Sequence, residues 1–399
     1  MTIVGEFISF TVAILLLMSG KLFTINFYIL RKYSIPEPVI GGLLCSGFIS
    51  VIYFTSGHKV SFDLDVRDFL LLLFFSGIGL KADIRTLRQG GKPLLVLLGL
   101  AAIFMIGQNF AGMGIAALFG LDPLAGLMVG SISLTGGLGT TMAWAPIFKE
   151  DLGIANAAEL GIAANTVGLI AACVIGGPVA TWLMRRHAIT PSGIADLDIG
   201  ASHERQSTNL DYFCVLWAIF ILNITVLLGT GLDALIDETG LTLPTFVACL
   251  IAGIAVRNLT PLAAGKTVMR YWPATRQGLS LISDMSLGLF LIMALMNLQL
   301  WELAGVFGFI ITALAVQILL SLVYILYVVF PVMGRDYEAT VIAAGFGGIT
   351  LGSTATAIAN MTAVTQQYGA AHRAFIIVPL VCGFFIDLVN ALVIAAFVG

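Results

Sequence analysis

Charge is what this sequence has least of. Only 10% of its 399 residues are Asp, Glu, Lys or Arg, against about 25% in an ordinary soluble domain. Nineteen basic and 22 acidic side chains cannot cover the surface of a soluble core of this size, which excludes a soluble globular protein. The net charge of −3 is too small to point to nucleic acid or to any other polyionic partner. Histidine is scarce as well: His58, His187, His203 and His372 all fall in loops or at the ends of apolar runs. There is no HExxH, no GxGD and no Ser–His pair that one pocket would hold, so intramembrane hydrolysis lacks its residues and the chain is not read as an enzyme. Cys45, Cys173, Cys214, Cys249 and Cys382 lie in apolar segments without CxxC or metal spacing. They read as small core residues rather than a disulfide framework. No ring of like residues marks a channel.

What is present is apolar. Hydrophobic residues make up 59% of the chain and the mean hydropathy is +1.03, which predicts a polytopic, all-α membrane protein. A spanning helix needs about 20 mostly apolar residues. Spans are expected near 4–21, 37–55, 67–82, 93–120 and 158–184, then near 211–230, 241–257, 281–298, 305–331 and 373–398. The N-terminus has no basic leader and its first cation is Lys21, so the first apolar run is expected to be a retained span. Residues 185–210 form the one extended polar run and are expected to link an N-terminal half, 1–184, to a C-terminal half, 211–399. Counted over alternate loops, sixteen Lys and Arg fall on one side and only Lys59, Arg67 and Lys149 on the other. The positive-inside rule then places both termini outside and the linker in the cytoplasm.

Two segments, about 122–145 and 336–361, are too rich in Gly and Thr for spans, although they sit at the same place in each half. Each opens with an acid, Asp122 or Asp336, and Leu138-Gly139-Thr140-Thr141 echoes Leu351-Gly352-Ser353-Thr354. Five spans per half require the second half to be inverted, so two inverted five-helix repeats are expected, each with a re-entrant helix-turn-helix loop. Irregular backbone at membrane depth is tolerated only when it is buried in protein or lines a cavity. At such a tip, backbone N–H groups suit a carboxylate, while carbonyls and hydroxyls suit a small hard cation. Gly136, Gly137, Gly139, Thr140, Thr141, Ser353 and Thr354 are the expected solute contacts; tight helix packing would use the same small residues. Asp387, within the last span, costs several kcal/mol unless paired or solvated. It reads as a ligand for a cation or ammonium, or as a structural acceptor, with Asn390 on the same helical face. Asn165 and Thr166 inside the fifth span fit either ligation or interhelical hydrogen bonding, and Asn360 either binds or caps.

Five stretches in order resemble the bacterial sodium/glutamate symporter family: "KYSIPEPVIGGLL", "DPLAGLMVGSISLTGGLGTTMAW", "TLPTFV", "TATAIANM" and "FFIDLVNALVI". The likeness runs from about residue 30 to the C-terminus. It implies sodium-driven glutamate uptake at the bacterial inner membrane by a homodimer, with scaffold and transport domains in an elevator-type movement. It implies no cofactor beyond sodium as coupling ion, and partners limited to glutamate, sodium and lipid. The sodium ligands expected on this basis are Thr135, Asn165, Thr166, Asp387 and Asn390, and the glutamate contacts include Asn360 and Asp387. The related 2-hydroxycarboxylate transporters carry Gly-Gly-x-Gly in both re-entrant loops. Here Gly136-Gly137-Leu138-Gly139 keeps it, whereas Gly347-Gly348 is followed by Ile349-Thr350 with Gly352 displaced. The same scaffold would also serve a sodium-coupled dicarboxylate or hydroxycarboxylate carrier, and a lone buried Asp would serve a cation/proton antiporter.

Overall fold

The computed structural model describes residues 2–28, 30, 36–58, 60–63, 65–82, 84–190, 212–238, 244–263, 266–296 and 305–398. The expected linker lies outside the described residues from 191 onward. One departure from an all-helical chain is a short parallel pair, β1 (Thr2–Val4) beside β2 (Val60–Phe62), which ties the N-terminus to the loop after the second helix.

The N-terminal half contains α1 (Glu6–Asn26), α2 (Glu37–Ser56), α3 (Asp65–Lys81) and α4 (Ile84–Leu118). Three shorter pieces follow, α5 (Ala125–Met128), α6 (Ser131–Leu134) and α7 (Gly137–Glu150), and then α8 (Ala157–Arg186). The C-terminal half repeats this order. It has α9 (Tyr212–Asp237), α10 (Thr245–Ala263), α11 (Lys266–Met296) and a long helix, α12 (Phe307–Tyr324), continued through a π turn (Ile325–Val329) into α13 (Phe330–Met333). A broken pair, α14 (Tyr337–Leu351) and α15 (Thr354–Tyr368), comes next. The last span is α16 (His372–Leu380), a π turn (Val381–Phe385) and α17 (Ile386–Val398). It bends by 46°, so Asp387 sits at a bend rather than in a straight helix. Among the described residues, seven helices are long and apolar enough to cross a membrane, and the bent last pair makes an eighth. Helices α3 and α10, at 17 and 19 residues, are shorter than the rest of the expected set.

Helix ends follow their sequence signals. Pro36 and Pro38 open α2, where a missing backbone N–H costs nothing. The Asp336 carboxylate accepts from Ala339 N at 2.7 Å and caps α14. The helices then pack as two groups. Helices α1, α2 and α3 pack with α9, α10 and α11, while α4–α8 pack with α12–α17. Lipid gives helices no hydrophobic reason to associate, so close contact between small residues has to hold them. In the first group, α3 and α10 touch through Gly79 and Gly253, where an added Cβ would lie 2.9 Å from the opposite Cα. The second group has its core between α4, α8 and α14, around Phe104, Leu183 and Phe346. Helix α7 spans the gap between groups, with Leu138 and Met142 packed on α11 and the Trp144 ring edge-on to Phe246 at 5.9 Å.

Candidate functional site

Both glycine segments are broken helices. The first runs from α5 through α7 and turns at Thr135–Gly136, so its second arm extends beyond the expected end at 145. Gly137 begins α7 at φ +74°, a conformation that side chains other than hydrogen adopt at a cost. The second turns at Gly352–Ser353, and Ser353 Oγ caps α15 by accepting from Thr356 N at 3.3 Å. This tip lies beyond Gly347 and Gly348, which are buried inside α14. Gly348 instead lets the arms close, its Cα facing the backbone of Ala357. The two tips meet: a Cβ on Gly137 would lie 3.8 Å from Gly352 O and 3.9 Å from Asn165 Nδ2.

Buried amides from the surrounding spans hold the breaks. Asn165 Nδ2 on α8 donates to Ser133 O at 2.8 Å, and Asn390 Nδ2 on α17 donates to Ser131 O at 3.0 Å. On α4, Asn109 Oδ1 accepts from Ser131 N at 2.9 Å. Its neighbour Gln108 donates to Thr350 O at 2.9 Å and accepts from Thr135 Oγ1 at 2.7 Å. Gln317 Nε2 on α12 reaches Gln108 O at 2.8 Å, and Ser321 Oγ lies 2.8 Å from Thr350 Oγ1. The oxygens left over are informative. Asn165 Oδ1, Asn390 Oδ1, Ser131 Oγ and Ser133 Oγ are buried with no hydrogen-bond partner among the described residues. Buried polar atoms are rarely left unpaired, and an unmade bond invites a ligand or ion.

A cavity of about 800 Å³ opens between the two helix groups at this point. Thr135, Gly136, Gly137, Gly139, Thr140, Asn165, Gly352, Ser353, Thr354 and Asp387 line the wall on the second group. Phe74, Leu287 and Leu291 line the facing wall, and Lys21, Glu37 and Asp284 line it as well. Lys21 is ion-paired with Glu37, and Lys81 approaches Asp284 at 3.8 Å. The N-terminal ends of α7 and α15 both meet the cavity, so two positive helix ends lie at it. Thr354 Oγ1 donates to Cys382 O at 3.3 Å, fastening the second tip to the π turn beside Asp387.

Four expected ligands lie away from this wall. Thr141 donates to Gly137 O within its own helix at 2.8 Å and turns its methyl toward Gly161 of α8. Thr166 bonds back to Ile162 O at 2.8 Å, a local bond that keeps its hydroxyl on its own helix. Asn360 neither caps nor faces the cavity: its amide donates to Ala172 O at 3.0 Å and Ala344 O at 3.3 Å, bracing α15 against α8 and α14. Asn390 stands behind the wall, its Nδ2 2.6 Å from where a Cβ on Gly136 would be. Gln108, Asn109 and Gln317 are neighbours of the breaks that the glycine pattern does not reveal. A signal for them exists, since amides inside apolar spans face the bundle interior for a reason.

Apolar spans enclosing two helix breaks that meet at one cavity define a multi-pass membrane transport protein. The chain belongs to the sodium/glutamate symporter family, which it matches over residues 3–370. It is 41% identical over 385 residues to the sodium/glutamate symporter of Escherichia coli K12, covering 96% of this chain and 94% of that protein. Against the sodium/glutamate symporter of Haemophilus influenzae it is 37% identical over 383 residues, covering 95% and 93%. Among solved structures, a sodium proton antiporter from Methanocaldococcus jannaschii covers 98% of this chain and 97% of its own. Its identity is 16% and its TM-score 0.42, too distant a likeness to bear on function.

Proposed function

We propose that this protein carries glutamate into the bacterial cell with sodium, by an elevator-type movement of the second helix group against the first. The observation that carries the proposal is the meeting of two helix N-termini and Asn165, with its unpartnered Oδ1, in one cavity between the groups; Asn390 Oδ1, also unpartnered, stands just behind its wall. Glutamate has two carboxylates, and the N-termini of α7 and α15 offer one anion site each. Asp387 takes the α-ammonium, with Ser353 and Thr354 beside it. Sodium takes oxygen from Thr135, Asn165 and Asn390, the last two presenting Oδ1 atoms that are otherwise unused. A cation in the site offsets the cost of taking an anionic solute out of water.

The halves 1–184 and 211–399 are inverted repeats on this reading, joined by a cytoplasmic linker at 185–210, with both termini outside. Helices α1, α2, α3, α9, α10 and α11 form the scaffold, which also carries the dimer surface. Lys21 and Glu37 then lie at cytoplasmic helix ends, and the cavity they line opens inward. The test is uptake of radiolabelled glutamate into proteoliposomes with an inward sodium gradient. Uptake is expected to stop when choline replaces sodium, and glutarate, which lacks the ammonium group, is expected to compete poorly. Glutamate uptake that survives choline replacement overturns the proposal.

A further inference from the structure

The contacts around Gln108 form an assembly that the transport reading does not by itself require. Its side chain is fully buried in the middle of α4 and touches both helix breaks at once. Nε2 donates to Thr350 O, one of the last carbonyls of α14, which has no partner within its own helix. Oε1 accepts from Thr135 Oγ1 at the first break, at 2.7 Å. The same hydroxyl lies 3.5 Å from Thr350 O, closing a triangle. Gln317 donates to the Gln108 carbonyl from the opposite helix and holds α4 in register. Only a side chain with a donor and an acceptor on one terminal group serves both partners; Glu loses the donor when ionised, and Met loses both.

The direction of the Thr135 bond has a chemical consequence. A threonine hydroxyl has one proton and two lone pairs. With its proton committed to Gln108, Thr135 can only accept from the cavity it lines. An oxygen held in that state suits a cation and repels a carboxylate. We infer that Gln108 is a positioning residue for the coupling cation: it couples the two helix breaks and orients Thr135 Oγ1 as a cation acceptor, so sodium affinity depends on a side chain that never touches sodium. This rests on the sodium-coupled reading above and adds to it a residue outside the cavity wall.

The test is the sodium dependence of glutamate uptake in proteoliposomes for Gln108→Met, Thr135→Val and the double variant. Each single variant is expected to raise half-saturating sodium about tenfold, while glutamate KM at saturating sodium stays within about twofold. The double variant is expected to be no worse than the worse single one, because both changes remove one interaction. Thr135→Ser keeps the hydroxyl and is expected to restore most of the sodium affinity that Thr135→Val loses. Should Gln108→Met fail to fold, Gln108→Asn, whose amide is one methylene too short to reach both breaks, takes its place in the same comparison. Half-saturating sodium unchanged in the single variants, or additive losses in the double one, overturns the inference. Wild-type uptake that ignores sodium instead overturns the transport reading on which it rests.

Discussion

Alanine at Gly137 and alanine at Gly139 should change stability in opposite directions, although the two glycines lie one residue apart on either side of Leu138. Gly137 holds φ at +74°, a region that costs an L side chain about 1–2 kcal/mol. Crowding adds little, since the new methyl would meet nothing nearer than Gly352 O at 3.8 Å. The penalty at 137 is therefore conformational. Gly139 lies inside α7, where replacing Gly by Ala contributes about 0.5–1 kcal/mol in favour of the helix. Its methyl would touch Phe74 Cε1 at 3.4 Å and Leu287 Cδ1 at 3.6 Å, ordinary contacts across the gap between helix groups. Thermal unfolding in detergent should show Gly137→Ala melting below wild type and Gly139→Ala at or above it. In uptake, a tip strained by 1–2 kcal/mol is populated about 5- to 30-fold less. On the proposed reading, apparent glutamate KM then rises by a similar factor for Gly137→Ala. On the same reading, Gly139→Ala should leave KM alone and affect turnover at most, because its methyl sits where the groups would slide. Equal melting temperatures for the two variants, or a wild-type KM for Gly137→Ala, would refute the assignment of Gly137 to the tip.

Other substitutions separate the cavity wall from its braces. Asp387→Asn should lower sodium-dependent glutamate uptake about tenfold or more, as expected for loss of a charge-assisted contact, with Asp387→Glu retaining part of the activity in the same assay. Asn360→Ala removes the buried bonds to Ala172 O and Ala344 O; it should cost about 1–3 kcal/mol in unfolding and leave glutamate KM unchanged in the protein that folds. Gly168→Ala drives a methyl into Leu134 Cδ2 and the Leu351 carbonyl, so it should lower both melting temperature and uptake, whereas Gly177→Ala, which meets nothing within 4 Å, should leave both as they are.

Most of the spans were legible because lipid demands length and apolarity: of the ten expected, seven helices meet that demand among the described residues and the bent last pair makes an eighth. The first break was legible as well: Gly136, Gly137 and Gly139 within four residues leave a helix little propensity to continue. The second is ambiguous in the sequence, between Gly347–Gly348 and Gly352, because helical glycine has two uses. Those two serve close packing of α14, while a single Gly352 followed by the cap at Ser353 makes the turn. The Ser353-to-Thr356 spacing was the readable signal, being that of an N-cap three residues ahead of its donor. Which asparagine faces the breaks was not legible. Asn360 and Asn390 are the same residue type, yet one braces α15 and the other reaches Ser131. Helix α17 is apolar nearly all round and gives Asn390 no polar face to set its bearing, while the Thr and Gln residues spread over α15 give Asn360 no single one.

Each break in this chain sets opposite helix ends side by side. Helix α6 ends at Leu134 and α7 begins at Gly137, while α14 ends at Leu351 and α15 begins at Thr354. Carbonyls left unpaired at one end and N–H groups left unpaired at the other thus lie within three residues. A site so built offers partial charge of both signs, and a lone anion satisfies only half of it. On the proposed reading, glutamate occupies the amide ends and sodium the oxygen side, where Asn165 Oδ1 and Asn390 Oδ1 wait unpaired. On the same reading, glutamate alone adds its net negative charge to that of Asp387, facing Phe74, Leu287 and Leu291, the apolar surface past which the second group would slide. A sodium ion bound with it offsets one of those charges and lowers the cost of that passage. Coupling then needs no separate latch: the electrostatics that favour joint occupancy are the same that permit the movement.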